Sequence, residues 1–248
     1  MEPAVAKSTK MILRGVAIVY SLLAAGILGA AIAVTVGKET APKLEASRGF
    51  DPSSVIFAWN GPIRPGMAQE IADAFDQWKG SVNRVLFALN SAGGSVREGE
   101  AVIAVFKEIK KTHKFDTVVV HGNRCSSFCV ALFLQGQKRL GARTSIWLFH
   151  EVGTFDGKGD LIDLNPERTE AIFEKYYKPA GVSEKWLVSV KASIMGKELW
   201  QTGEDLIRNG SNIITDPIDN LQKRTLKARI TPAPEQLKVG KMPSALPV

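Results

Sequence analysis

At 248 residues and 45% hydrophobic content, the chain is long enough to bury one sizeable core and short enough to hold a single folded domain. Its formal charge of +7 is scattered, with no basic stripe interleaved with aromatics, which argues against a nucleic-acid partner. Lys7, Lys10 and Arg14 precede an apolar run, and Lys223, Arg224, Lys227 and Arg229 precede a proline-containing end, positions that suit a membrane surface better.

From Gly15 to Gly37 the chain reads GVAIVYSLLAAGILGAAIAVTVG, with no charged residue, and roughly 20 such residues cross a bilayer core as one helix. The basic residues ahead of it predict a cytoplasmic segment 1–14, a transmembrane helix 15–37 and a translocated body. The run is longer than the apolar core of a signal peptide, and no cleavage site is followed promptly by a polar mature start. An uncleaved single-pass anchor is therefore expected, with the folded domain periplasmic or extracytoplasmic. Residues 38–53, polar and holding Pro42, Gly49 and Pro52, read as a linker.

The folded domain is expected over 54–218. Val55–Trp59 is a short apolar run closed by Asn60-Gly61-Pro62, a buried strand, and Met67, Ile71, Phe75 and Trp78 recur at helical spacing through Pro65–Trp78. The unit repeats, with strand Val85–Leu89, the loop Asn90-Ser91-Ala92-Gly93-Gly94-Ser95-Val96, and a helix marked by Gly99, Val102, Ile103, Phe106 and Ile109. Strand Thr117–Val120, a short helix from Ser127 to about Gln135 and strand Ser145–Phe149 follow. Helices are expected over Asn165–Tyr177 and Ser183–Ala192, then from Thr202 to a stop at Asn209-Gly210, with a last strand at Ile213-Ile214. Apolar strands alternating with helices predict an α/β domain with a mostly parallel sheet, whose strand ends carry the site. The tail 219–248, with prolines and no periodicity, is expected to be disordered.

Three pieces carry chemistry. The Gly93-Gly94 loop can bring bare N–H donors to a reacting group, Ser127 opens a helix, and His150 ends a strand, an order that suits acyl transfer. Ser126 competes with Ser127, and either could be a helix cap instead. His113 and His121 read as surface or packing residues. Cys125 and Cys129, four apart, read as small buried residues packing a helix face, with a disulfide as the alternative and no zinc site, because no clustered His or Cys completes one.

Together, Asn90–Val96, the C-x-S-x-C helix start at Cys125–Cys129 and Phe149-His150 resemble the ClpP/crotonase superfamily, and most closely its membrane-anchored or periplasmic ClpP-like serine peptidases. The resemblance spans roughly Val55 to Thr215, with Ala92 standing where the Clp loop has proline. It implies a fold of repeated ββα units, Ser127 as nucleophile, His150 as base, and an oxyanion hole from Gly93 or Gly94 with Phe128. The acid that orients His150 falls on Glu198, a glutamate where the family has aspartate, and neighbouring Lys197 leaves a serine–lysine arrangement open. The resemblance requires no metal or organic cofactor and implies a peptide or protein substrate and a homo-oligomer. Two other readings stand beside it: a ClpP-like scaffold without catalysis, and a crotonase-type acyl-thioester enzyme.

Overall fold

The computed structural model describes residues 44–155 and 161–218, all within the compact unit Pro42–Val248. The expected anchor 15–37, the segment 1–14 and the tail 219–248 lie outside the described residues, among which no helix is long and apolar enough to cross a membrane.

The chain is a mixed α/β domain built on a six-stranded, largely parallel sheet. Its strands are β1 (Glu45–Arg48), β2 (Ser54–Asn60), β3 (Arg84–Asn90), β4 (Lys114–Val119), β6 (Arg139–Gly141) and β11 (Asp216–Pro217), lying side by side in that order. From β2 onward every pair is parallel, and β1 runs antiparallel to β2 along the edge. Three positions differ from expectation, one of them β6, a three-residue strand that the sequence did not announce. Residues read as linker contribute β1, because Glu45–Arg48 finds an open sheet edge that its own polarity does not announce. The last strand forms at Asp216–Pro217, beside Leu140 and Gly141, while Ile213 and Ile214 are buried in the core just ahead of it.

Helices α1 (Met67–Trp78) and α2 (Val96–Lys110) connect the parallel strands. Helix α1 starts after Gly66, at φ 92°, with no side-chain cap of its own. The Ala68 N–H is instead capped by Glu98 Oε1 at 2.8 Å, from the first turn of α2. Helix α2 starts on Ser95, whose hydroxyl accepts from the Glu98 N–H, so the Gly93-Gly94 loop runs directly into a capped helix. The two helices cover an aromatic core in which Phe87, Phe106 and Phe115 stack edge-on or tilted with centroids 4.5–6.4 Å apart.

A second sheet packs beside the first: β10 (Leu199–Thr202), β7 (Ile146–Phe149) and β5 (Arg124–Ser126), with β5 and β7 parallel and β10 antiparallel to β7. The sheets are joined where Ser91 bridges Cys125: the Ser91 N–H donates to the Arg124 carbonyl and the Ser126 N–H to the Ser91 carbonyl. Helix α3 (Phe128–Phe133) leaves β5, and all six of its residues are buried. Beyond β7, strands β8 (Val152–Phe155) and β9 (Leu161–Asn165) form an antiparallel pair, followed by α4 (Pro166–Ile172), a π-helical turn Phe173–Tyr177, α5 (Glu184–Ser193) and α6 (Gly203–Arg208). The caps Asn165, Ser183 and Thr202 close the helices expected there, Thr202 with Asp205 as a reciprocal capping box.

Gly99 fits Phe128 into this arrangement. A Cβ at Gly99 would lie 2.3 Å from two carbons of the Phe128 ring, so α2 and α3 approach only because that position is bare. Gly99→Ala is expected to destabilise the domain by about 1–3 kcal/mol through overpacking, despite alanine's better helix propensity. Denaturant unfolding measures this, and an unchanged midpoint would show that the ring moves aside freely.

Candidate active site

Ser127 is the junction between β5 and α3, and its backbone is held at φ 55°, ψ −129°, a left-handed conformation that non-glycine residues rarely adopt. Holding a residue in such a region costs of order 1–3 kcal/mol, so the surroundings must impose it. They do so by main-chain bonds on both sides: the Ser127 N–H donates to the Leu148 carbonyl of β7 at 2.9 Å, and the Ser127 carbonyl accepts from the Val130 N–H at 3.0 Å. The side chain makes no capping bond and has no hydrogen-bond partner among the described residues. Capping therefore does not explain this serine. Ser126 is 2% exposed, its hydroxyl is buried without a partner, and it does not line the cleft described below.

Cys125 and Cys129 form a disulfide, with Cα atoms 5.3 Å apart. This corrects the expectation of two packing residues. Sequence spacing places the pair one helical turn apart, but Cys125 lies on the strand and Cys129 on the helix, and the sharp turn at Ser127 brings them together. The bond thus closes a ring around the strained serine, and both cysteines are fully buried.

The glycine loop sits against this turn. A Cβ on Gly93, whose φ is 90°, would lie 2.7 Å from the Ser126 carbonyl oxygen and 2.8 Å from Ser127 Cβ, so only glycine permits the approach. Gly94, at φ 140°, lies against the backbone of Ile63. The Ile63 N–H donates to the Gly93 carbonyl at 2.7 Å, and the Ser95 N–H to the Ile63 carbonyl. The two loop N–H groups differ. That of Gly93 donates to Ser91 Oγ at 3.1 Å, so it is occupied within the loop, whereas that of Gly94 has no acceptor among the described residues. Phe128 is the first residue of α3, where the N–H has no intrahelical partner. Gly94 and Phe128, not Gly93, are the available donors.

Ser127, His150, Gly94 and Phe128 line one open cleft of about 80 Å³, walled by Val96, Phe149, Val152, Gly153, Thr169, Ile172, Phe173 and Tyr177. His150, half-buried, follows β7 directly, and its Nδ1 lies 2.6 Å from the Glu151 carbonyl oxygen. A carbonyl only accepts, so Nδ1 is the donor in this contact, and in the neutral ring Nε2 then carries the lone pair. No hydrogen bond joins Ser127 Oγ to His150 in this structure.

Glu198 does not reach His150. It precedes β10, whose Leu199 pairs with Phe149, so the register sets Glu198 across from His150. Its carboxylate instead folds back to accept from the Trp200 indole N–H at 3.1 Å, and the residue is exposed. Lys197 is also exposed. The carboxylate that sequence reading missed is Glu151: it is 9% exposed, and its Oε2 accepts the Gly196 N–H at 2.7 Å, fixing the loop before β10 to the end of β7. Only its place beside His150 marks it in the sequence. The aromatic wall at Phe173 and Tyr177 was likewise missed, read only as part of the helix expected over Asn165–Tyr177. The other histidines are engaged elsewhere, His113 with Thr112 and the Lys79 carbonyl, His121 with Thr144.

Strands β8 and β9 flank the cleft beyond His150. Thr169 ties β8 to α4 by accepting the Val152 N–H at 2.8 Å and donating to the Asn165 carbonyl at 2.9 Å. Among the described residues no group of three or more His, Cys, Asp or Glu could hold a metal ion. No protein-family model matches this chain, and no curated protein matches it.

Replacing both Cys125 and Cys129 by alanine is expected to lower the unfolding free energy by ~2 kcal/mol, the loop-closure value for so short a ring. Chemical denaturation of the variant against the oxidised wild type checks this, and equal midpoints would mean that the turn is held without the bond.

Proposed function

We propose that this chain is a membrane-anchored serine peptidase with ClpP-like chemistry, acting on peptide or protein substrates outside the cytoplasm. The observation that carries the reading is Ser127: an unbonded hydroxyl on a strained strand-to-helix turn, lining the same cleft as a histidine with a free Nε2. In this reading His150 Nε2 removes the Ser127 proton as Oγ attacks the carbonyl carbon. The N–H groups of Gly94 and Phe128 donate to the oxyanion, and His150 then returns the proton to the leaving amine. Water repeats the sequence on the acyl-enzyme, with His150 again as base, and releases the acid.

The orienting group for His150 is the Glu151 carbonyl, which accepts the Nδ1 proton in the place where the family uses a carboxylate. The arrangement is then a serine–histidine dyad, and Glu198 is outside it. The buried disulfide agrees with an oxidising compartment and hence with the expected anchor orientation. That location disfavours the crotonase-type reading, which needs coenzyme A thioesters. The scaffold reading draws on one observation, the absence of a Ser127–His150 hydrogen bond, although such bonds often tighten only on substrate binding.

A fluorophosphonate probe is expected to label the wild type and leave Ser127→Ala unlabelled. His150→Ala should slow labelling by about 10²–10⁴-fold, while Glu198→Gln stays within about twofold of wild type. Equal labelling of Ser127→Ala would overturn the nucleophile. A large loss in Glu198→Gln would restore the glutamate to the triad. Full rescue of a deletion strain by both Ser127→Ala and His150→Ala would favour the scaffold.

A further inference from the structure

The cleft that holds Ser127 is apolar except at one point away from the reacting groups. Val96, Phe128, Phe149, Ile172 and Phe173 present only hydrocarbon side chains to it, and the Thr169 hydroxyl is used as both donor and acceptor. Tyr177 differs. It is 5% exposed and lines the cleft, yet its hydroxyl has no hydrogen-bond partner among the described residues. The hydroxyl oxygen is not one of the fully buried polar atoms left without a partner, so it is open to solvent and can meet a ligand's acceptor. Burial pushes the pKa of this phenol well above its usual range, so it keeps its proton and offers a donor.

The backbone explains why the tyrosine is there. Phe173–Tyr177 is a π-helical turn, closed by the Lys178 N–H on the Phe173 carbonyl at 3.1 Å, and such turns widen a helix locally. The two rings pack edge-on with centroids 4.6 Å apart, and both line the cleft while Tyr176 is also buried.

Resting on the acyl-transfer reading above, we propose that Tyr177 selects methionine as the residue whose carbonyl Ser127 attacks. The side chain on that carbonyl is the one nearest the cleft wall. An occupant must be apolar along its length and bring an acceptor for the Tyr177 hydroxyl, with no donor left unmet. Amide side chains bring two donors for which the cleft lining offers no free side-chain acceptor beyond the reacting Ser127 and His150, and hydroxyl side chains bring one. Ionised carboxylates would be desolvated with no lysine or arginine among the lining residues. The methionine thioether remains: a weak acceptor on a flexible apolar stem, whose sulfur also packs well against rings such as Phe128, Phe149 and Phe173.

The test uses the full-length chain in detergent and two peptidyl phosphonates that differ only in bearing methionine or norleucine next to phosphorus, the latter with CH₂ in place of sulfur. The wild type is expected to be labelled at Ser127 about threefold to tenfold faster by the methionine compound, the worth of one neutral hydrogen bond. Tyr177→Phe should bring the ratio close to one, whatever its absolute rates, and an unchanged circular dichroism spectrum reports that the variant is folded. Equal rates in the wild type overturn the proposal by themselves, as does a ratio that survives in Tyr177→Phe. If neither compound labels Ser127, the acyl-transfer reading fails, and the selectivity fails with it.

Discussion

A serine at φ 55°, ψ −129° has no intrinsic reason to remain there, so everything around Ser127 has to hold it. Three constraints converge on it. A strand neighbour takes its N–H, the first turn of α3 takes its carbonyl, and a disulfide ties the residue two before it to the residue two after it. Helix α3 has no solvent face on which to rotate, because all six of its residues are buried. The loop-closure worth of the disulfide, ~2 kcal/mol, is of the same size as the strain of about 1–3 kcal/mol that it encloses.

The glycine loop is fixed to the same frame by main-chain bonds. Ser91 joins the large sheet to β5, Ile63 clasps Gly93 and Gly94 from the other side, and the Ser91 hydroxyl occupies the Gly93 N–H. That last bond decides which of two adjacent glycines can act. Gly93 supplies the close approach to Ser127, and Gly94 supplies the unoccupied donor, so one dipeptide divides steric and electrostatic work between its members.

The parallel architecture was legible because its strands read as continuous apolar runs, as at Val55–Trp59, buried on nearly every residue, and Val85–Leu89, where Leu86 and Ala88 stay half-buried. Caps at Asn165, Ser183 and Thr202 fell where local chemistry predicts helix starts. Short or edge strands were not legible: Glu45–Arg48, Arg124–Ser126 and Leu199–Thr202 exist because partners lie beside them, a long-range fact. At the site, Ser127, His150, Gly94 and Phe128 meet in one cleft as their order along the chain suggests. The disulfide escaped because helical spacing was assumed across a turn that is not helical. Glu198 was placed by the resemblance alone; the strand register sets it across from His150, but its carboxylate turns to the Trp200 indole two residues on.

The contact at His150 Nδ1 has a consequence for how this site can vary. A carboxylate partner can be deleted by one nucleotide change, but the Glu151 carbonyl belongs to the main chain and survives every side-chain replacement at its own position. Mutational drift reaches it only by moving the backbone, and the element best placed to do that is the Glu151 carboxylate, which anchors the chain at Gly196. The imidazole's tautomer is therefore written into the path of the polypeptide, and an alanine scan passes over the atom that sets it.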